Sequence, residues 1–267
     1  MNQLSEPEMA SRVNPLRAPW PIEGLAHGFF GRLGGVSRGP FASLNLSYFV
    51  GDEAAAVDRN WQIARASMPA GAVVARLNQV HGATVHQVGG GYDGARPEGD
   101  GFVTATPGIL LTILTADCVP VLMVDAQRGV AAALHAGWRG ILADIAEAGV
   151  AAMVALGATR LGIRAALGPS IGACCFEVEQ ELAGRFADRF EEAGCHIRFG
   201  PADKAFIDLR GVLGDLLVRC GLDAGAIASL GPCTRCAGDR YFSRRAAGGN
   251  ITGLQLSYIG FAGESGS

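Results

Sequence analysis

The chain has 267 residues, 49% of them apolar and 18% charged, with a net charge of −3. That length and composition exclude a disordered chain and allow one substantial core, and the charge balance excludes the basic footprint of a nucleic-acid binder. Its seven cysteines are odd in number and irregularly spaced, which points to reduced thiols in the cytoplasm rather than a disulfide frame.

Residues 1–18 are polar, carry Pro7 and Pro15, and read as a flexible arm. Residues 19–263 read as one domain, with no repeat, low-complexity stretch or linker. No basic flank followed by an apolar core marks an export signal. The longest apolar stretch, 108–124, is interrupted by Asp117 and Pro120 and falls short of the roughly 20 residues that span a bilayer. No membrane partner is therefore expected.

In chain order, residues 26–30 read as a strand leading into the glycine-rich loop Gly31-Arg32-Leu33-Gly34-Gly35-Val36-Ser37. A helix follows over 52–67, opened by acidic residues that suit its N-terminal dipole. Residues 73–76, 84–88, 109–114, 119–124 and 130–134 read as short strands. Several are too uniformly apolar to alternate, as strands buried on both faces are. A helix is expected over 141–156, a strand over 163–167 and an amphipathic helix over 178–192. Phe206, Leu209, Leu213, Leu216 and Leu217 recur at helical spacing. A strand over 254–259 closes the chain. Central strands with helices before, between and after them give an α/β or α+β sandwich.

Three residues could form a metal site: His81 in Asn78-Gln79-Val80-His81-Gly82, Cys118 in Ala116-Asp117-Cys118-Val119-Pro120, and His135 in His135-Ala136-Gly137-Trp138-Arg139-Gly140. Imidazole and thiolate are zinc ligands, and three of them leave a fourth position open, the catalytic pattern. Spacing alone fits hydrogen-bonded core histidines and a buried thiol better. Pro232-Cys233-Thr234-Arg235-Cys236 matches half of a zinc-deaminase signature, but the H-x-E half is missing at all five histidines. The Cys233–Cys236 pair reads as a structural turn with free thiols, and Cys174-Cys175 as packing. Arg32, Arg139 and Arg245, near glycine-rich or helix-start segments, suit an anion such as phosphate, or are surface charges.

These pieces together resemble the YfiH-like family, also called laccase-domain or FAMIN-like proteins and, in bacteria, peptidoglycan editing factors. Gly31–Ser37, Ser43-Leu44-Asn45-Leu46, Gly51-Asp52 with Asn60, Asn78–Gly82, Asp100-Gly101, Thr115–Pro120, His135–Gly140, Gly168-Pro169-Ser170-Ile171-Gly172, and the Asp208-Leu209 and Tyr241-Phe242-Ser243 region stand in the family's order. The resemblance implies a single-domain α-β-β-α sandwich, similar to the catalytic domain of cytotoxic necrotizing factor toxins. It makes His81, Cys118 and His135 the metal ligands. It also implies a zinc-dependent purine nucleoside phosphorylase, acting on adenosine, inosine, guanosine and methylthioadenosine, with adenosine deaminase activity. An older attribution to the family is copper-dependent polyphenol oxidation.

For these reactions Asp117, Cys118 and Arg139 are the expected catalytic residues, with Asp117 as proton shuttle or as a residue that orients a ligand. Arg32, Asn45, Gln79 and Arg245 are the expected contacts to nucleoside and phosphate. Relatives often carry Ser-Tyr-Arg-Arg-Asp where this chain has Ser243-Arg244-Arg245-Ala246-Ala247, so its substrate preference could differ. Two other readings use the same residues: a Cys118–histidine hydrolase acting on peptidoglycan-related amides, and a copper oxidase, for which five histidines are few. The sequence leaves monomer and homodimer open.

Overall fold

Strands that are apolar on both sides need cover on both faces, and the central strands of this chain receive it from two directions. In the computed structural model, which describes residues 13–263, a six-stranded sheet runs β12 (Ile227–Ser229), β8 (Ile163–Leu167), β6 (Val119–Asp125), β7 (Val130–Ala136), β4 (Gly101–Thr104), β3 (Val85–Gln87). A four-stranded sheet runs β1 (Leu25–Phe29), β13 (Gln255–Phe261), β5 (Ile109–Thr115), β2 (Val73–Ala75).

Alternation sorts the side chains. Leu122, Val124, Ala131 and Ala133 point between the sheets, where they meet Phe29, Leu111, Ile113 and Ile259. Their neighbours Val121, Met123, Ala132 and Leu134 point outward. There they pack against α3 (Ile145–Ala155) and α5 (Leu209–Arg219). On the far side α1 (Ala54–Arg65) lays Val57, Trp61 and Ala64 over Leu110, Leu256 and Tyr258. The result is a single mixed α/β domain with the layer order α-β-β-α.

Several expectations change. Residues 1–12 of the expected arm lie outside the described residues. Residues 13–18 are docked: Leu16 exchanges backbone hydrogen bonds with Phe29 at 2.9 and 2.8 Å, and Val13 and Ala18 are buried. These apolar residues extend the sheet edge beside β1 instead of leaving it to solvent. The helix expected over 141–156 is two helices, α2 (Trp138–Leu142) and α3, broken where Asp144 takes φ 63°. The helix expected from Phe206 begins at Leu209. Phe206 and Ile207 belong to β11 (Lys204–Ile207), and the Asp208 carboxylate caps α5 by accepting from the Arg210 N–H at 3.2 Å. β11 lies in a small third sheet between β10 (Ile197–Phe199) and β9 (Glu177–Glu179), next to α4 (Gln180–Arg189). No helix among the described residues is long and apolar enough to cross a membrane.

Candidate metal centre and its cleft

Three adjacent strands meet at one end of the six-stranded sheet. β7 ends where β6 and β4 begin, with Pro120 opposite His135 and Gly101 opposite Leu134. That register brings together Cys118, which precedes β6, His135 on β7, and Asp100, which precedes β4. Cys118 also lies on the crossover that carries the chain from β5 in one sheet to β6 in the other. Its neighbour Asp117 makes this turn at φ 94°, a conformation costly for a residue with a Cβ. His81 arrives from the loop between β2 and β3. The ligand atoms of His81, Cys118 and His135 all lie within 4.8 Å of one another. The two imidazoles stand edge to face at 77° with centroids 4.8 Å apart.

Asp100 organises this group. Its side chain is fully buried and accepts from the backbone N–H of His81 at 2.9 Å and of Gly82 at 2.6 Å. Those bonds hold His81 at φ 62°. Asp100 also bonds His135 Nδ1 at 2.7 Å, which turns the other ring nitrogen of His135 to the cluster. Burial raises the Asp100 carboxyl, but the bond from His135 and the backbone donors outweigh it and hold it below the ordinary carboxylate range. Burial likewise raises the Cys118 thiol, yet His135 and His81 draw it down to about 6. Against its own burial, the Cys118 thiolate and Asp100 raise His135 to about 9.

A zinc ion fits these residues. The donor set is His₂Cys, and one histidine is oriented by a carboxylate on its outer nitrogen, the arrangement that fixes ligand tautomers around metals. Room for an ion is kept by Gly137, where a Cβ would stand 3.0 Å from Cys118 Sγ and 3.2 Å from His81 Cδ2.

The three residues lie in a cleft of about 660 Å³, large enough for a nucleoside-sized ligand. Asp117, Arg139, Gln79 and Arg245 line it too. Arg139 is exposed and stacks 4.3 Å over the Trp138 ring. Both Asp117 oxygens are engaged by the wall: Thr234 Oγ1 donates to one at 2.6 Å and the Arg245 backbone N–H to the other at 2.7 Å. This geometry favours positioning over proton shuttling. The Gln79 amide pairs with the Leu114 backbone, donating at 2.8 Å and accepting at 2.9 Å, and so ties its loop to β5. The Arg245 guanidinium donates to the carbonyls of Cys175 and Glu177 at 3.1 and 2.9 Å.

Arg32 and Asn45 do not line the cleft. Arg32 lies outside the cleft lining, donates to the carbonyls of Ala42 and Gly238 at 2.6 and 2.8 Å, and covers the Phe242 ring. Asn45 is fully buried and bonded to Ser47, Asp52 and Leu254. Both brace loops. In the glycine-rich loop the N–H groups of Gly35, Val36 and Ser37 are turned to Ser43 and Asn60. Phe242 is fully buried.

Sequence reasoning assigned no role to Asp100, Phe49, Thr115, Phe176 or Arg244, all but the first of which line the cleft. Phe49 is 75% exposed at the rim, and Thr115 Oγ1 is buried without a hydrogen-bond partner among the described residues. Asp100 was visible only as part of a matching block. Phe49 carried no signal beyond being apolar in a loop.

Residues 26–262 match the family model described as multi-copper polyphenol oxidoreductase laccase. The chain is 38% identical over 261 residues to a purine nucleoside phosphorylase of Deinococcus radiodurans, covering 94% of each. It is 42% identical over 152 residues to adenosine deaminase RL5 of an unknown prokaryotic organism, covering 57% of this chain and 58% of that one. Among solved structures, the Bacillus licheniformis hypothetical protein YfiH superposes with TM-score 0.85 at 30% identity, covering 93% of this chain and 99% of that one. A Neisseria meningitidis protein of the DUF152 family superposes with TM-score 0.85 at 35% identity, covering 94% and 100%.

Proposed function

The chain belongs to the family described as multi-copper polyphenol oxidoreductase laccase, and from that premise we propose that it is a zinc-dependent purine nucleoside phosphorylase with adenosine deaminase activity. The observation that carries the reading is the His81–Cys118–His135 group, oriented by Asp100 in a cleft that Arg139, Arg244 and Arg245 also line. The names of the Deinococcus and RL5 relatives support the two activities. The odd number and irregular spacing of the cysteines suit a reducing compartment, and the cytoplasm is the proposed location.

His81, Cys118 and His135 would hold the ion. When bound, zinc supplies Lewis-acid polarisation of whatever occupies its open fourth position. The chain's own residues do the rest. In phosphorolysis a phosphate oxygen bonds to the sugar carbon, the glycosidic C–N bond breaks, and its electron pair leaves with the purine nitrogen, which takes a proton. The sugar becomes cationic on the way, so the incoming dianion must be held beside it. Arg139, Arg244 and Arg245 line the cleft and are the proposed phosphate contacts. Phe49 and Phe176 line the cleft and are the proposed contacts to the base. The buried Thr115 hydroxyl is a candidate donor to the nucleoside. Asp117 is assigned to positioning, because its carboxylate ties Thr234 to the Arg245 backbone.

One observation favours a second reading. Cys118, His135 and Asp100 form a thiol–imidazole–carboxylate chain, the arrangement of cysteine hydrolases. Metal content and turnover of inosine and adenosine, with and without phosphate, separate the two readings in the wild type and in Cys118→Ala. One zinc lost together with phosphate-dependent base release supports the phosphorylase. Metal-free protein without nucleoside turnover, and with amide hydrolysis that survives chelation, overturns it.

A further inference from the structure

Four cysteines that take no part in the cleft chemistry converge beside its wall. Cys174 and Cys175 come from the loop between β8 and β9, and Cys233 and Cys236 from the turn after β12. Their four sulfur atoms all lie within 4.8 Å of one another. Cys236 Sγ is 3.7 Å from Cys174 Sγ and 3.4 Å from Cys175 Sγ. Zinc bonds thiolate at about 2.3 Å, so four sulfurs at tetrahedral corners stand about 3.8 Å apart. The cluster is thus already near the size of a closed tetrathiolate site.

We propose that Cys174, Cys175, Cys233 and Cys236 bind a structural zinc ion, distinct from the His81–Cys118–His135 centre, which locks the cleft wall carrying Asp117 and Arg245.

The local backbone is arranged for thiolates. The N–H groups of Gly172, Arg235 and Cys236 donate to the Cys233 sulfur. A divalent cation would neutralise four thiolates brought this close together. Gly172 keeps the space clear: a Cβ there would stand 3.2 Å from Cys233 Cβ and 3.4 Å from Cys174 Sγ. Two buried and two exposed cysteines place the cluster at the surface, where an ion can enter.

The position explains the purpose. Thr234, inside the Cys233–Cys236 turn, donates to Asp117, and the Cys175 carbonyl accepts from Arg245. An ion bridging the two cysteine pairs fixes both supports at once. Four protein ligands leave no open position, so the site is structural rather than catalytic. Disulfides among these cysteines would need an oxidant.

The test is zinc content of the full chain, purified with reductant from zinc-supplied cells. Two zinc ions per chain are expected in the wild type, one in Cys118→Ala, one in Cys174→Ser/Cys236→Ser and none in the triple variant. Cobalt substitution of Cys118→Ala gives an independent readout that leaves the four cysteines untouched. Intense thiolate-to-cobalt charge-transfer bands and a tetrahedral d–d spectrum are expected. A folded Cys118→Ala protein that binds neither zinc nor cobalt overturns the proposal. So does a disulfide among the four cysteines in the reduced preparation, found by mass spectrometry. The proposal does not rest on the phosphorylase reading, because Cys118→Ala removes the catalytic centre before the measurement is made.

Discussion

Asp100 is the residue on which the candidate centre turns. A buried carboxylate with no cation nearby would be protonated. Here it stays anionic because His135 and the backbone of His81 and Gly82 point donors at it. Asp100→Asn keeps the shape but brings an NH₂ against those donors and removes the charge that supports His135. We expect zinc affinity to fall by about 10- to 100-fold, the usual effect of losing a carboxylate behind a ligating histidine, measured by competition with a chromogenic chelator. Unchanged affinity would mean that Asp100 only shapes the loop. Cys118 gives a second prediction. Its lowered thiol pKa means that thiolate persists at pH values where an ordinary cysteine, near 8.5, is protonated. In metal-free protein, site-resolved alkylation of Cys118 should rise through about pH 6 and level off above it. With zinc bound the same cysteine should be protected. A rise near pH 8.5 would show that the histidines do not stabilise the thiolate.

Among the elements, the joint between β7 and α2 is the most exposed to test. Gly137 sits there with φ −76° and ψ 165°, a conformation open to any residue, so an added methyl group costs nothing in backbone strain. Among the described residues its only close conflict is with Cys118 Sγ and His81 Cδ2. Gly137→Ala should therefore keep the thermal midpoint of the metal-free protein and lose metal binding, read by calorimetric titration. A large drop in the metal-free midpoint would instead assign the glycine to packing. The same joint shows what was legible in the sequence. β5, β6 and β7 were readable because burial on both faces makes them apolar throughout. β4, β9, β10 and β12, with three or four residues each, show too few positions for a period and were not read, although β2 and β3 are as short and were. His81, Cys118 and His135 were named from the family blocks that contain them, since their spacing reflects a register across three strands and a loop. Membership of such a block does not distinguish a ligand contact from a brace. Arg32 and Asn45 stand in matching blocks and serve as braces, whereas Asp100 stands in one and serves the centre.

For the whole molecule, the two sheets and the two groups of proposed metal ligands divide the work. Cys118 sits on the crossover between the sheets, so the proposed centre ties one sheet to the other, while the four-cysteine cluster joins the 174–175 and 233–236 loops that back the cleft. Ligands drawn from distant parts of the chain are assembled only in the folded state, so a metal that binds there stabilises the fold by mass action. At free zinc about 100 times its dissociation constant, one site contributes about 2.7 kcal/mol. For a domain of this size each kcal/mol moves the thermal midpoint by about 2–4 °C. Chelation should therefore lower the wild-type midpoint by roughly 10–20 °C if both sites are filled to that degree. Cys118→Ala should start lower and keep about half of the chelator-induced shift. Adding Cys174→Ser and Cys236→Ser to that variant should abolish the remainder. If chelation no longer moves the midpoint once Cys118 is gone, the cleft wall is held by hydrogen bonds alone and only the centre at His81, Cys118 and His135 couples metal to folding.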